Sequence, residues 1–368
     1  MTNRLLLMIL AVTGCAQRAD EASSHPGSAI DDVSGGSPVD NVAPLFVGPT
    51  ANSVAAAEAT ANDNALCAAI APFYWEIGNQ HQALVTGSIG VDAQGHPITA
   101  TTSMSIASSS KWIYGTYAVQ LRGAASNLTL ADIAFLHFTS GYSNLGNSTT
   151  SACPSTDTPD TVNTCLTLIN PANNQPYSYQ DPTTIGKFAY DGGHLENHAS
   201  LHGELGDVLV GALGSTVAAM LGSGVTLFYT EPLLAGGIYT TADNYALILR
   251  HVLDGSLAMH DALGIHAVCT LPSASCNAAS SPIPEAWHYS MAHWVEDDAA
   301  THGDGAFSSA GAFGFYPWIG ASKQYYGVVA RQVAANGAIR SGYNSAKCGR
   351  LIRRAWDTGV EQTGTIPD

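Results

Sequence analysis

Ser108 and Lys111 are the two residues whose types and spacing could most directly do covalent chemistry. They stand in Ile106-Ala107-Ser108-Ser109-Ser110-Lys111-Trp112. Only four lysines occur in the 368 residues, at 111, 187, 323 and 347, and Lys111 alone has a serine three positions before it. Residues at i and i+3 share one face of a helix. With the serine at a helix N-terminus, its own N–H can donate to an oxyanion, and the helix dipole favours the developing negative charge. A lysine stripped of water loses affinity for its proton. It can then take the serine proton and make the hydroxyl nucleophilic. Ser-x-x-Lys alone is a weak pattern, because a solvated Ser and Lys on a surface helix would read the same. The flanks argue for the buried version: Ile106 and Ala107 precede, and Trp112, Ile113 and Tyr117 follow.

Other chemistries compete for attention and are weaker. His194, His198 and His202 recur every four residues, and histidines at i and i+4 on a helix can hold zinc. Glu196 sits one place too late for the His-Glu-x-x-His order of a metalloprotease, and no cysteine is near. No metal site is expected, and the three histidines line a cleft or face solvent. Lys187, three before Tyr190, is read as a solvated lysine, and His302, in a Gly-rich loop, as an outside candidate for a base. The chain lacks Gly-x-Ser-x-Gly, a phosphate loop and Gly-x-Gly-x-x-Gly after a strand, so an α/β-hydrolase elbow and nucleotide binding are set aside. No cofactor is expected.

Composition narrows the partners. Thirteen Lys+Arg against 29 Asp+Glu give a net charge of −16, which disfavours a nucleic-acid partner. Charged residues at 11% disfavour a coiled coil or a disordered polyelectrolyte. Residues 1–14 carry one positive charge and a short apolar run, Leu5 to Ala11, ending in Val12-Thr13-Gly14-Cys15. That is a secretory signal, and its cysteine makes it resemble a bacterial lipoprotein signal. The expectation is lipidation at Cys15, export to the cell envelope, and a membrane contact through the lipid anchor. Residues 15–62, rich in Ala, Ser, Gly, Pro, Asp and Asn, are expected to be a flexible tether. Residues 63–368 form the folded domain.

Six further cysteines suit an oxidising compartment. Cys153 with Cys165, and Cys269 with Cys276, each bracket a short loop, which leaves Cys67 with Cys348. Other pairings remain open on spacing alone. The last pair requires the first and last helices to lie side by side.

The elements that must position Ser108 follow from periodicity. Helices are expected over 63–82, 111–122, 129–138, 208–221, 241–253 and 345–356, and at the segment after Tyr190. Thr129 with Asp132 makes a capping box. Strands are expected over 83–91 and 98–104 as a hairpin, and over 286–295, 311–319 and 325–333. The fold class is α/β (α+β): an antiparallel sheet flanked by helices, built from both termini, with a helical subdomain inserted.

In four places the sequence resembles the class C β-lactamase and penicillin-binding-protein-like serine hydrolase family, which includes D-alanyl-D-alanine carboxypeptidases and esterases. They are the hairpin running into Ser108-x-x-Lys111, Leu128 to Gly141 ending in His137-Phe-Thr-Ser-Gly141, Tyr190-Asp191-Gly192-Gly193, and Pro232 to Asp243 with Ala235-Gly236-Gly237. The resemblance implies that Ser108 is the acyl-accepting nucleophile, Lys111 its partner and Tyr190 a proton shuttle. A phenol beside an ammonium is expected to shift toward phenolate. Ser309-Ala310-Gly311 is matched to the family's third motif, with the Ala312 N–H as second oxyanion donor. Two departures stand out. Gly192 replaces an Asn that would bind a substrate amide, and Ser309 replaces a basic residue. Both favour an esterase or an unusual peptidase over an efficient β-lactamase. The rival expectations are an envelope protein that kept the cleft but lost turnover, and a His-rich metal-binding lipoprotein.

Overall fold

The computed structural model describes residues 50–145, 160–170, 174–176, 178–301, 303–333 and 340–366. Its principal helices are α1 (Ala51–Asp63), α2 (Ser110–Arg122), α3 (Leu130–Leu136), α4 (Gly193–Leu201), α5 (Val210–Ala219), α6 (Ala242–Leu253) and α7 (Ser341–Thr358). The main sheet holds β1 (Phe73–Gly78), β2 (Ala83–Ile89), β3 (Val268–Cys269), β4 (His288–Ser290), β5 (His293–Glu296), β6 (Ala306–Ser308), β7 (Tyr316–Ile319) and β8 (Tyr326–Ala330). Their order is β2-β1-β8-β7-β6-β5-β4-β3, antiparallel throughout. The N-terminal hairpin therefore pairs with the C-terminal strand, with Trp75 opposite Val329. Helices α2 to α6 all lie in the chain between β2 and β3. This is the expected sheet built from both termini around an inserted helical region.

Both faces of the sheet are covered, which is why β1, β7 and β8 are buried along their whole length and do not alternate apolar with polar. Tyr316 and Trp318 face α7, where Arg353 Nη1 donates to the Tyr316 hydroxyl at 2.9 Å. Tyr326 faces the other way. Its hydroxyl donates to Glu76 Oε1 at 2.7 Å and accepts from Arg250 of α6 at 3.3 Å. Arg353 also binds Glu296 at 2.7 Å, and neither side chain is exposed.

Several expected boundaries are corrected. The helix expected over 63–82 is instead the end of α1, a short turn at Ala65–Ala68, and β1. A short run buried on both faces has no period to tell strand from helix, and Pro72 disfavours helix at Ala71. Helix α1 occupies 51–63, inside the expected tether, and packs on α7. Residues 98–103 are not a strand. Thr99 and Thr102 close a local turn, the Thr99 N–H donating to Thr102 Oγ1 at 2.9 Å, so the side chain competes with the ladder. Strand β2 pairs with β1, and Met104–Ser105 pairs with Ile238–Thr240. The strand expected over 286–295 is a tight hairpin, β4 and β5, turning at Met291 and Ala292 with φ of 41° and 62°. The strand expected from Gly311 begins only at Tyr316, and β6 precedes it.

Two disulfide expectations are met: Cys67–Cys348, with Cα atoms 4.9 Å apart, and Cys269–Cys276. Cys165 is disulfide-bonded. Its expected partner Cys153, together with Cys15 and the signal segment, lies outside the described residues. Among the described residues no helix is long and apolar enough to cross a membrane.

Candidate active site

Ser108 lies in a single 3-10 turn, Ala107–Ser109, that runs directly into α2. Ala107 has φ of 48°, a left-handed conformation that costs a residue with a Cβ about 1–2 kcal/mol. Ser108 itself is half-buried. Helix α2 is buried from Ser110 through Val119, so Lys111 sits in the interior, 5% exposed. Lys111 Nζ donates to Ser108 Oγ at 3.0 Å and to the Ala235 carbonyl at 2.8 Å. Burial pulls its ammonium down to about 8, against the opposing charges of Asp191 and Glu196.

Tyr190 closes the group. The Lys111 Nζ lies 5.1 Å from the centroid of its ring. The ring stacks on Trp294 at 5.3 Å and meets Tyr289 edge-on. The expected shift toward phenolate is overturned. Burial among aromatic rings pushes the Tyr190 phenol up to about 12, with a hydrogen bond from Ser108 pulling weakly the other way. Desolvation opposes the phenolate more than the nearby amine supports it.

The stretch after β6 passes beside Ser108. Ser309 Oγ donates to the Ser108 carbonyl at 3.0 Å, and Ser109 Oγ donates to the Ser309 and Phe315 carbonyls at 2.5 and 3.1 Å. A Cβ on Gly311 would stand 2.1 Å from the Ile106 carbonyl oxygen, so only glycine permits this approach. The expected donor Ala312 lies in the turn just beyond Gly311. Ser309 and Gly311 direct their N–H groups to Pro317 and Phe315, at 3.3 and 2.7 Å. Successive N–H groups along an extended strand alternate sides, so that of Ala310 turns away from β7. Among the described residues neither the Ala310 nor the Ser108 N–H has an acceptor. Nor has that of Ala312, which by the same alternation faces the side that Ala310 faces.

The histidines do not gather for a metal, and among the described residues no cluster of three or more metal-binding side chains occurs. His194 donates from Nε2 to the Ala189 carbonyl at 2.9 Å and accepts from Ser140 at Nδ1 at 2.7 Å. Burial lowers it to about 3, so it is neutral. His198 donates to Asp132 at 2.9 Å, and its Nδ1 lies 2.6 Å from the Tyr114 hydroxyl. His202 packs on Phe135 and His198. These are structural contacts holding α4 on α2 and α3. Lys187 is half-buried before Tyr190, with Asp181 feeling its charge. His302 lies outside the described residues.

Sequence reasoning missed Glu196 and Ala235. In the sequence Glu196 stands among His194, Asn197 and His198, polar neighbours that give no sign of its burial. Ala235 acts through main-chain atoms, which side-chain type does not reveal.

No family model matches this chain, and no curated protein matches it. The fold, however, is shared with solved structures of β-lactamases and penicillin-binding proteins. A penicillin-binding protein homologue from Pyrococcus abyssi, an octamer, aligns with TM-score 0.56 and 13% identity over 80% of this chain and 75% of its own. The hydrolase EstCE1, described as having promiscuous acyltransferase activity, aligns with TM-score 0.52 and 15% identity over 83% and 98%. A candidate β-lactamase from Bacteroides dorei aligns with TM-score 0.51 and 17% identity over 77% and 94%. The chain thus has the β-lactamase/penicillin-binding-protein-like fold.

Proposed function

We propose that the protein is a serine hydrolase that cleaves an ester or amide through an acyl-enzyme at Ser108. The observation that carries this reading is a buried lysine, drawn down to about 8, donating to Ser108 Oγ at 3.0 Å. As the free amine, Lys111 takes the Ser108 proton while Oγ attacks the carbonyl. The Ser108 and Ala312 N–H groups receive the oxyanion. Tyr190, a neutral phenol, gives its proton to the leaving oxygen or nitrogen, and the Lys111 ammonium steadies the phenolate so formed. Water then loses a proton to that phenolate and attacks the acyl carbon. Ser108 leaves with the proton held by Lys111, and all three groups return to their starting states.

The substrate is read from what is missing. Ser309 stands where a cation would grip a carboxylate, and Gly192 has no side chain to hold an amide. Neutral esters, or peptides recognised elsewhere, therefore suit the site better than β-lactams. Lipidation at Cys15 and residence in the bacterial envelope complete the proposal, resting on the lipoprotein-like start of the chain.

The test is covalent labelling with a fluorophosphonate, read by mass on the peptide containing Ser108, beside hydrolysis of nitrophenyl esters. Ser108→Ala should abolish the adduct and lower hydrolysis by about a thousandfold or more. A wild-type protein that neither labels nor hydrolyses would instead be a non-catalytic relative.

A further inference from the structure

Glu196 is a fully buried acid on α4 with no role in the chemistry above. Its two oxygens accept from consecutive main-chain donors: Leu234 N–H to Oε2 and Ala235 N–H to Oε1, both at 2.9 Å. The carbonyl of that same Ala235 accepts from Lys111 Nζ at 2.8 Å. Beyond it the chain continues as Gly236-Gly237, which has no side chains of its own to hold the carbonyl in place. Room for the loop comes from α4 as well. A Cβ on Gly192 would lie 3.1 Å from that of Ala235, so a larger residue there would press on the loop.

We propose that Glu196 is a positioning residue for Lys111: its carboxylate clamps the Leu234-Ala235 backbone and so aims the Ala235 carbonyl that holds the lysine against Ser108. The inference rests on the hydrolase reading for its catalytic consequence, but not for the clamp itself. A carboxylate is the group the geometry asks for, because both partners are donors and a glutamine would turn its own N–H₂ onto one of them. The buried charge has a second effect. The groups facing Glu196 are Lys111 and Tyr114 from α2, Tyr229 from the strand Phe228–Tyr229, and Asp191 just before α4. Of these Lys111 is the cation, and Asp191 and then Glu196 favour its protonated form; burial raises Glu196 itself to about 7, against the Ala235 and Leu234 N–H groups, so the clamp is ionised above that pH. The clamp therefore places the lysine and keeps its basicity from falling further.

The experiment uses the full chain with lysine labelled by ¹³C at Cε. Four lysines make the spectrum assignable. In wild type the Lys111 signal should titrate near 8. In Glu196→Gln its midpoint should move to lower pH, because the charge is gone while the size is kept. Fluorophosphonate labelling at Ser108 should slow by up to about a hundredfold at its plateau, as expected for a misplaced reacting group, with the rising limb also moved to lower pH. Glu196→Asp keeps the charge but shortens the reach, so labelling should slow with the limb unmoved. An unmoved Lys111 midpoint together with wild-type labelling in Glu196→Gln would overturn the inference. Should the variants not fold, amide exchange in wild type decides it: the Leu234 and Ala235 N–H groups should exchange slowly, and fast exchange refutes the clamp. A wild type that never labels at Ser108 sinks the hydrolase reading alone, since the lysine titration and the exchange still decide the role of Glu196.

Discussion

Burial and hydrogen bonding pull the groups around Ser108 in opposite directions, and this division sets the chemistry. Lys111 and Tyr190 are both desolvated. Desolvation disfavours the charged form of each, which leaves more of the lysine as free amine at neutral pH and makes the tyrosine a worse acid. At neutral pH the phenol therefore keeps its proton, while a minority of the lysine is free amine. The pH profile follows. Acylation needs the free amine, and Lys111 is held at about 8, so its rate should rise about tenfold per pH unit below that value and level off above it. Stopped-flow acylation by a nitrophenyl ester across pH 5.5–9.5 would check this. A rate that falls with rising pH over that range would contradict the assignment of Lys111 as base.

Asp132 shows how one residue can organise an element and its neighbours. It closes the capping box of α3, its Oδ2 accepting the Thr129 N–H at 2.8 Å while its own N–H donates to Thr129 Oγ1 at 3.1 Å. Arg122 at the end of α2 binds both its oxygens, at 2.7 and 2.9 Å, and His198 of α4 adds a third donor. Burial alone would raise its carboxyl, but His198, Arg122 and Thr129 together hold it well below the ordinary range. Asp132→Asn should cost about 1.5–3 kcal/mol in urea unfolding, the worth of hydrogen bonds to a charged group. An unchanged midpoint would mean that the three contacts are dispensable. The capping box was legible in the sequence because it is local. The bridge to α2 and α4 was not, because it spans 66 residues to His198.

At the scale of the whole molecule, the two ends of the folded part close on each other. Helix α1 lies on α7, β1 pairs with β8, and Cys67–Cys348 joins residues 281 apart. A crosslink over so long a loop removes much freedom from the unfolded chain. Replacing both cysteines by alanine should lower stability by about 2–5 kcal/mol without moving the Ser108 labelling rate, since the bridge lies at the α1–α7 junction and not beside α2. Guanidinium unfolding and labelling, measured together, would test both halves.

Features carried by neighbours along the chain were legible in the residues alone. A serine three places before the one lysine in an apolar helix marked the candidate nucleophile, and Thr129 with Asp132 marked a helix start. Cysteines flanking short loops, with two left over near the ends, marked the closure of the domain. Tertiary structure decided what depends on being surrounded. Strand β1 is buried on both faces because helices cover both, so its residues carry no period. The β4–β5 hairpin turns at Met291-Ala292 with none of the usual turn residues, while the Ala292 N–H donates to the Leu136 carbonyl at 2.7 Å. Tyr190 remains a phenol because aromatic rings exclude the water that would stabilise its anion. Which backbone N–H groups are free, and that Glu196 holds a loop 38 residues away, depend on where distant backbone lies, and residue types alone do not encode that position.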